Sequence, residues 1–430
     1  TSGADGTIAI GHDAMSSGVT TGDTNIGIGR TTLNSLTSGT GNIALGRSAG
    51  KAMVDNEHNI AIGHHALYTS AGTADKNIAI GYNAMKGALV TGADNIGIGQ
   101  LALDALLGGA NNIALGKQAA EELTTGSDNI AIGLTAMGAG ITTGDVNIAI
   151  GKLALNNIKG GSSNIGIGYR ALRDTADTAA RNIAIGNQVA FDGQITGADN
   201  IIMGTNAAQV ATSLAENIVI GLKAVETGVM TGDHNTVVGP RAAQNFTSGA
   251  DNIIVGGSAG TAVTTNTKNI LIGSGSDATA GLANAYAIGT DASVTQANSM
   301  VLGGQTGDKF NIGIGGITAP NATLEVSGTM NVTGSLTVSG SSTFTNFGKA
   351  LLYGNAKNEE DISTGISTDT ALVVSGTSIF KGHTHMTGNL YVSDIIVAQE
   401  FHTEYVSASI TFTSGSNKMG DTNDDQQMMT

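Results

Sequence analysis

The sequence predicts an all-β fold, a parallel β-solenoid or β-roll built from 17–18-residue coils, and three observations predict it. The phrase Asn-Ile-Ala-Ile-Gly occurs five times, starting at Asn59, Asn77, Asn129, Asn147 and Asn182, with close variants from Thr7–Gly11 to Asn269–Gly273. Taking Thr7 and then each Asn as the start of a coil gives 7, 25, 42, 59, 77, 95, 112, 129, 147, 164, 182, 200, 217, 235, 252 and 269, every interval being 17 or 18. A fixed period this short marks a stack of units that cannot bury their apolar faces alone. Within the phrase the alternation has period two, which is the pattern of a strand rather than a helix.

Each part of the coil has its own justification. The Gly four places after the start (Gly11, Gly29, Gly46 and onward to Gly273) is present in all sixteen coils. A stacked turn that needs positive φ or a close backbone approach at one site demands that. Ala follows three residues later in thirteen of the sixteen coils, as in Ala14, Ala66, Ala84 and Ala136, usually with Met, Leu or another apolar residue behind it. That reads as a second, shorter inward-facing segment. A polar turn such as Thr91–Asp94 or Thr142–Asp145 then closes the coil, where Gly, Asp and Asn supply turn conformations and the 17/18 variation is absorbed. Fifteen Asn side chains stacked at about 4.8 Å per coil are expected to form an amide ladder along the solenoid.

The residue between the two Ile positions is never polar: Ala9, Gly27, Ala44, Ala61, Ala79, Gly97, Ala114, Ala131, Ala149, Gly166 and Ala184, then Ile202, Val219, Val237, Ile254 and Leu271. Strands apolar on both faces are buried on both faces, and a thin roll has one interior. The face carrying these residues is therefore expected to pack on identical chains around a symmetry axis, giving a parallel homotrimer; the alternative is a two-layer monomeric solenoid. On that reading the small residues of the first eleven coils let backbones approach, and the larger ones beyond widen the gap at the axis.

These "NIAIGxxA" coils resemble the head repeats of trimeric autotransporter adhesins, whose heads are trimers of left-handed parallel β-rolls, and the longer coils of phage tail-fibre proteins. Asn284–Gly304 places coil starts near Ala285 and Ser299, fourteen residues apart and close to the adhesin-head spacing. The likeness covers residues 1–315. From residue 316 the period changes: Val326, Val332 and Val338 lie six apart, each followed by Ser or Thr and then Gly. Short strands punctuated this way suit a slender β-rich fibre shaft or connector over 316–349. Residues 350–370, with the charged run Lys357–Asp361, read as a loop or insertion, and Ala371–Phe380 restarts the strand theme in a β-rich fibre segment over 371–430. Gly313–Gly328 resembles a linker common in tail fibres, and Ala408–Thr430 resembles a module of tail fibres from marine and cyanobacterial phages. The resemblance thus implies a phage fibre ahead of a bacterial adhesin. The chain starts without Met and stops in mid-pattern, so it reads as a fragment of something longer.

Composition narrows the classes further. Sixty-four glycines, no Trp and 3% aromatics leave few of the bulky anchors that fill an enzyme's core. With 12% charged residues and a net charge of -15, the chain repels a phosphate backbone, and nucleic acid is not an expected partner. There is no Cys, which excludes disulfides and thiolate metal sites. No run approaches the roughly eighteen apolar residues of a membrane span, and no signal-peptide pattern opens the chain, so no membrane insertion is expected.

Few residues invite chemistry. Gly46–Gly50 and Gly256–Gly260 match the G-x-S-x-G nucleophile elbow, but at the phase where other coils carry an ordinary turn. The Asp residues recur at turn phases as capping residues do, no carboxylate pair stands out, and the nonapeptide calcium-roll pattern is absent. His64 and His65 fall in a turn and are expected to be solvent exposed. His383 and His385 are two apart in a strand-like stretch, so both rings point the same way. At the axis of a parallel trimer six imidazoles would gather, enough for octahedral binding of a first-row transition metal such as iron or nickel; some phage fibres carry a similar H-x-H knot. Gln426–Thr430 aligns with His383–Thr387 and supplies no His, and an exposed His pair is the alternative.

The expectation is a non-enzymatic structural fibre segment of a phage tail or virion appendage, extracellular on the virion, which mediates or presents host-surface attachment. Its expected partners are two further copies, a host cell-surface glycan or protein, and other virion or fibre subunits. A bacterial trimeric surface adhesin on the cell surface is the alternative, and a polysaccharide-degrading tail spike is a third class.

Overall fold

Every coil opens with a three-residue strand, from β1 (Ile8–Ile10) to β16 (Ile270–Ile272), and each strand pairs in parallel and in register with the next. The computed structural model describes residues 4–16, 20–70, 74–87, 89–140, 142–174, 179–191, 195–304, 312–314, 324–326, 350–353 and 372–375. Among them there is no helix, and no helix long and apolar enough to cross a membrane. The sheet continues through β18 (Ala285–Ile288) and β20 (Ser299–Leu302), paired Ala285 to Ser299, so the expected fourteen-residue step is present. There a second ladder forms between β17 (Asp277–Ala278) and β19 (Ser293–Val294), where the earlier coils have turns. Two short parallel pairs follow, β21 (Ile312–Ile314) with β22 (Leu324–Val326) and β23 (Ala350–Tyr353) with β24 (Leu372–Ser375). Two units divide the chain, Thr1–Met330 and Asn331–Thr430.

The Asn ladder is continuous. From Asn42 to Asn269 each backbone N–H donates to the Oδ1 of the preceding coil's Asn at 2.8–3.2 Å, and Ala285 N–H caps the last one. The amide nitrogens reach back to the preceding Oδ1 or sideways to turn carbonyls, as Asn129 Nδ2 does to Asn112 Oδ1 at 3.1 Å and Gly144 O at 3.0 Å. All fifteen are buried, so the polar groups satisfy one another out of contact with water.

The Gly column behaves as expected and for two reasons. Its φ values run from +127° to +149°, a region closed to side chains, and an added Cβ would run into the carbonyl of the next coil's Gly. Left-handed backbone is not confined to glycine, however. Three further positions in each of the first fifteen coils, one before the coil start and two and four after the Gly, carry φ between +44° and +68°, occupied by residues as unlike as Val146, Met85 and Arg170; in the sixteenth the last of them, Asp277, is in a strand instead. For non-glycine residues the left-handed conformation costs about 1–2 kcal/mol each. Beyond Gly6 and Asp13 in the first coil, each such N–H is used between coils: His65 donates to Arg47 O, Leu67 to Ala84 O and Lys76 to Glu57 O.

The inward-facing segment after the Gly is buried, including the three positions that depart from Ala, Thr32, Val189 and Ser276. The closing turn is less polar than expected. Leu36, Met53, Leu106, Leu123, Ile158 and Phe246 all sit in it and are fully buried.

One expectation is reversed. The residues between the two Ile positions do not face a symmetry axis: from Gly27 to Leu271 they are all buried within the chain's own roll, and the Ile positions on either side face outward. Their partners are the apolar residues of the second segment. A Cβ on Gly27 would meet Met15 Cε at 2.9 Å, and one on Gly166 would meet Leu155 Cγ at 3.0 Å. In several coils the two columns trade size: Leu33, Met85 and Leu155 accompany small middle residues, whereas Ala208, Ala243 and Gly260 accompany Ile202, Val237 and Ile254; Gly50 with Ala44, Ala120 with Ala114 and Val225 with Val219 do not follow this. Where the columns trade size, close packing inside the roll accounts for it without a symmetry axis.

Candidate functional site

Because side chains alternate along a strand, burying the middle residue places the two flanking ones on the outer face. None of the thirty-two flanking residues of the sixteen strands is buried. Ile62 and Ile98 are 37% and 38% exposed, and Ile28, Ile150, Ile218, Ile253 and Ile272 are comparably open. In-register pairing aligns them into two columns, Ile8 over Ile26 over Ile43 and Ile10 over Ile28 over Leu45, continuing to Ile270 and Ile272. The result is a strip roughly 70 Å long at 4.8 Å per rung, apolar except at Thr236. Contiguous exposed apolar surface of this kind marks an interaction site. The sequence shows these isoleucines plainly, but their outward direction depends on which face of the strand the second segment covers, and period two alone does not choose.

Charge is segregated on the two borders of the strip. The two positions before each coil start carry eleven acids in the sixteen coils and three Lys or Arg; the two positions after the Gly carry seven Lys or Arg and one acid, Asp13. The acids have a structural use. A carboxylate oxygen of Asp23, Asp75, Asp145 and Asp233 accepts the backbone N–H of the preceding coil at 2.7–2.8 Å, as capping residues do. Asp199 and Arg181 form a paired hydrogen bond at 2.7 and 2.8 Å, which lowers the Asp199 pKa and raises that of Arg181.

The other candidates are not assembled. Ser48 lies in a left-handed turn with its hydroxyl 2.8 Å from Thr31 Oγ1, Ser258 occupies the same turn phase, and among the described residues neither hydroxyl hydrogen-bonds a histidine. Burial raises the pKa of Asp104 and of Glu121; Lys86 opposes this at Asp104, and a 2.8 Å hydrogen bond from Gln118 opposes it at Glu121. Among the described residues no group of three or more His, Asp or Glu is placed to hold a metal. His383 and His385 lie outside the described residues. His64 and His65 do occupy a turn, but they are half-buried rather than solvent exposed, because Tyr68 and Tyr82 pack against them. No protein-family model, curated protein or solved structure matches the chain.

Proposed function

We propose that the chain is a structural fibre segment of a phage tail or similar virion appendage, non-enzymatic, which mediates or presents attachment to a host surface. The observation that carries the reading is the isoleucine strip. A solenoid with an apolar face along its length needs a cover of equal length and equal period, and a parallel copy of the same chain supplies both. Three copies turned toward a common axis bury all three strips, forming a homotrimer in which each roll keeps its own interior. The proposed trimer places the opposite face of the strand at the axis. The resemblance of Gly313–Gly328 and Ala408–Thr430 to fibre linkers and modules supports a virion location and a slender shaft beyond the solenoid.

The mechanism is mechanical. Stacked coils with a buried amide ladder and buried apolar columns leave a protease little extended backbone to grip, and an assembly of three removes the exposed strip. Sedimentation equilibrium tests the reading directly. The expected mass is three times the 42.8 kDa of one chain, and a well-folded monomer at micromolar concentration would falsify it.

A further inference from the structure

Four of the described aromatic side chains, Tyr68, Tyr82, Tyr169 and Phe191, fall on the turns that follow the strand, and the N-terminal pair anchors an unusual cluster. His64 and Tyr82 occupy the same phase of adjacent coils and stack at 5.4 Å with their planes 7° apart. His65 packs against His64 at 3.8 Å and meets the edge of Tyr68 at 4.9 Å. Lys51 Nζ lies 3.2 Å from the Tyr68 hydroxyl and 5.4 Å from its ring centre. Arg47 precedes His64 in the same column, the two coils being tied by the bond from His65 N–H to Arg47 O at 3.0 Å.

Two features mark this cluster. First, its cations are gathered, since Arg47, Lys51 and Lys86 all act on His65. Lys223 pairs with Glu226 at 2.7 Å and Arg173 with Asp174, whereas among the described residues Arg47 and Lys51 form no ion pair, and Lys86 lies near enough to Asp104 to oppose the rise in that carboxylate's pKa. Mutual repulsion is felt inside the cluster: burial lowers the His65 pKa, and His64, Lys86, Arg47 and Lys51 lower it further. Second, it contains polar atoms without partners, His64 Nδ1 and, in the next coil, Asn83 Oδ1, both buried. Buried polar atoms ordinarily find a partner, and Arg47 and Lys51 lack a close counter-ion in a chain of net charge -15.

We infer that Arg47, Lys51, His64, Tyr68, Tyr82 and Lys86 form a binding site for an acidic glycan, a chain of sugars bearing carboxylates. The side chains supply guanidinium, ammonium, imidazole and phenol donors, which suit a ligand rich in oxygen acceptors and negative charge. Ring edges carry positive potential, and Tyr82 is 52% exposed, so its edge and hydroxyl are open to a sugar. The donors spread over three coils, about 10 Å, more than one small anion fills and suited to several linked sugars. A nucleic acid is the less fitting polyanion, because its closely spaced phosphates would meet the acidic remainder of the rod. The inference names a ligand class for the attachment role proposed above, but its chemistry does not depend on that role.

Titration calorimetry with oligogalacturonate and with oligosialic acid tests it, alongside the same oligosaccharides with carboxylates reduced to alcohols and a single-stranded oligonucleotide of matched charge. Binding of at least one acidic oligosaccharide is expected, weakened about tenfold or more by Arg47→Ala with Lys51→Ala and by Tyr82→Ala. Lys117→Ala, in the same column but beyond the cluster, is expected to leave it unchanged. All are surface changes, and circular dichroism verifies the fold. No binding of either oligosaccharide, equal binding of the reduced forms, or tighter binding of the oligonucleotide overturns the inference. So does a result in which the cluster variants lower the assembly mass and leave saccharide affinity intact, since the patch would then be a subunit contact. The three-chain mass of the unmodified protein is measured separately, so failure here and failure of the fibre reading are distinguishable.

Discussion

At the scale of single residues, the ladder asparagine is the most constrained side chain after glycine. Asn129 shows why: its Oδ1 accepts both the backbone N–H and the side-chain amide of Asn147, at 2.9 and 3.1 Å, while its own Nδ2 donates to Asn112 Oδ1 at 3.1 Å and to Gly144 O at 3.0 Å. Asn129→Ala strands a buried N–H in one neighbouring coil and a carbonyl in the turn. Each such group costs about 1–3 kcal/mol, so a clear fall in thermal midpoint is expected by calorimetry, whereas Asn34→Ala, outside the ladder, is expected to shift it little. Asp at position 129 does not rescue: it accepts but cannot donate, and it places a charge where no cation is at hand. The Gly column tolerates still less, because its φ and its neighbour's carbonyl forbid any Cβ.

At the scale of elements, the unit of stability is the pair formed by a strand's middle residue and the second-segment side chain opposite it. Gly166 and Leu155 make the test. Gly166→Val overfills the space at Leu155 and is expected to cost about 1–3 kcal/mol, and Leu155→Ala opens a cavity at about 2–5 kcal/mol. The double variant restores the volume and is expected to be more stable than the sum of the two, a coupling that denaturant titration of the four proteins reads directly; strict additivity would show that the two columns do not pack on each other. Much of this architecture is legible in the sequence, since period, strand, Gly column, Asn ladder and second segment all follow from residue type at fixed spacing. The left-handed turns are not, because Leu67 and Met85 advertise nothing about φ, and neither are Leu36, Met53 and Phe246, whose surroundings read as polar turn. The facing of the strand is hidden for a related reason: Ile-Ala-Ile is apolar on both sides, so alternation gives two faces without saying which the chain covers itself.

At the scale of the whole molecule, that choice of face separates two kinds of damage. A charge at Ala79 enters the interior of the chain's own roll, where the site is 0% exposed and lined by apolar neighbours; Ala79→Asp is therefore expected to cost several kcal/mol of fold stability in any oligomeric state. Ile62 and Ile98 point away from that interior, and a charge there remains solvated in a free chain. If the proposed trimer holds, Ile62→Asp combined with Ile98→Asp is thus expected to retain the far-ultraviolet spectrum of the parent while its sedimentation mass drops toward one chain, because burying two carboxylates per chain at the proposed seam is unfavourable. The assignment of faces stands on the contrast. If the Ile pair left the three-chain mass intact while Ala79→Asp dissociated a folded assembly, the middle column would be at the axis after all, and the apolar strip would be the surface that a different partner covers.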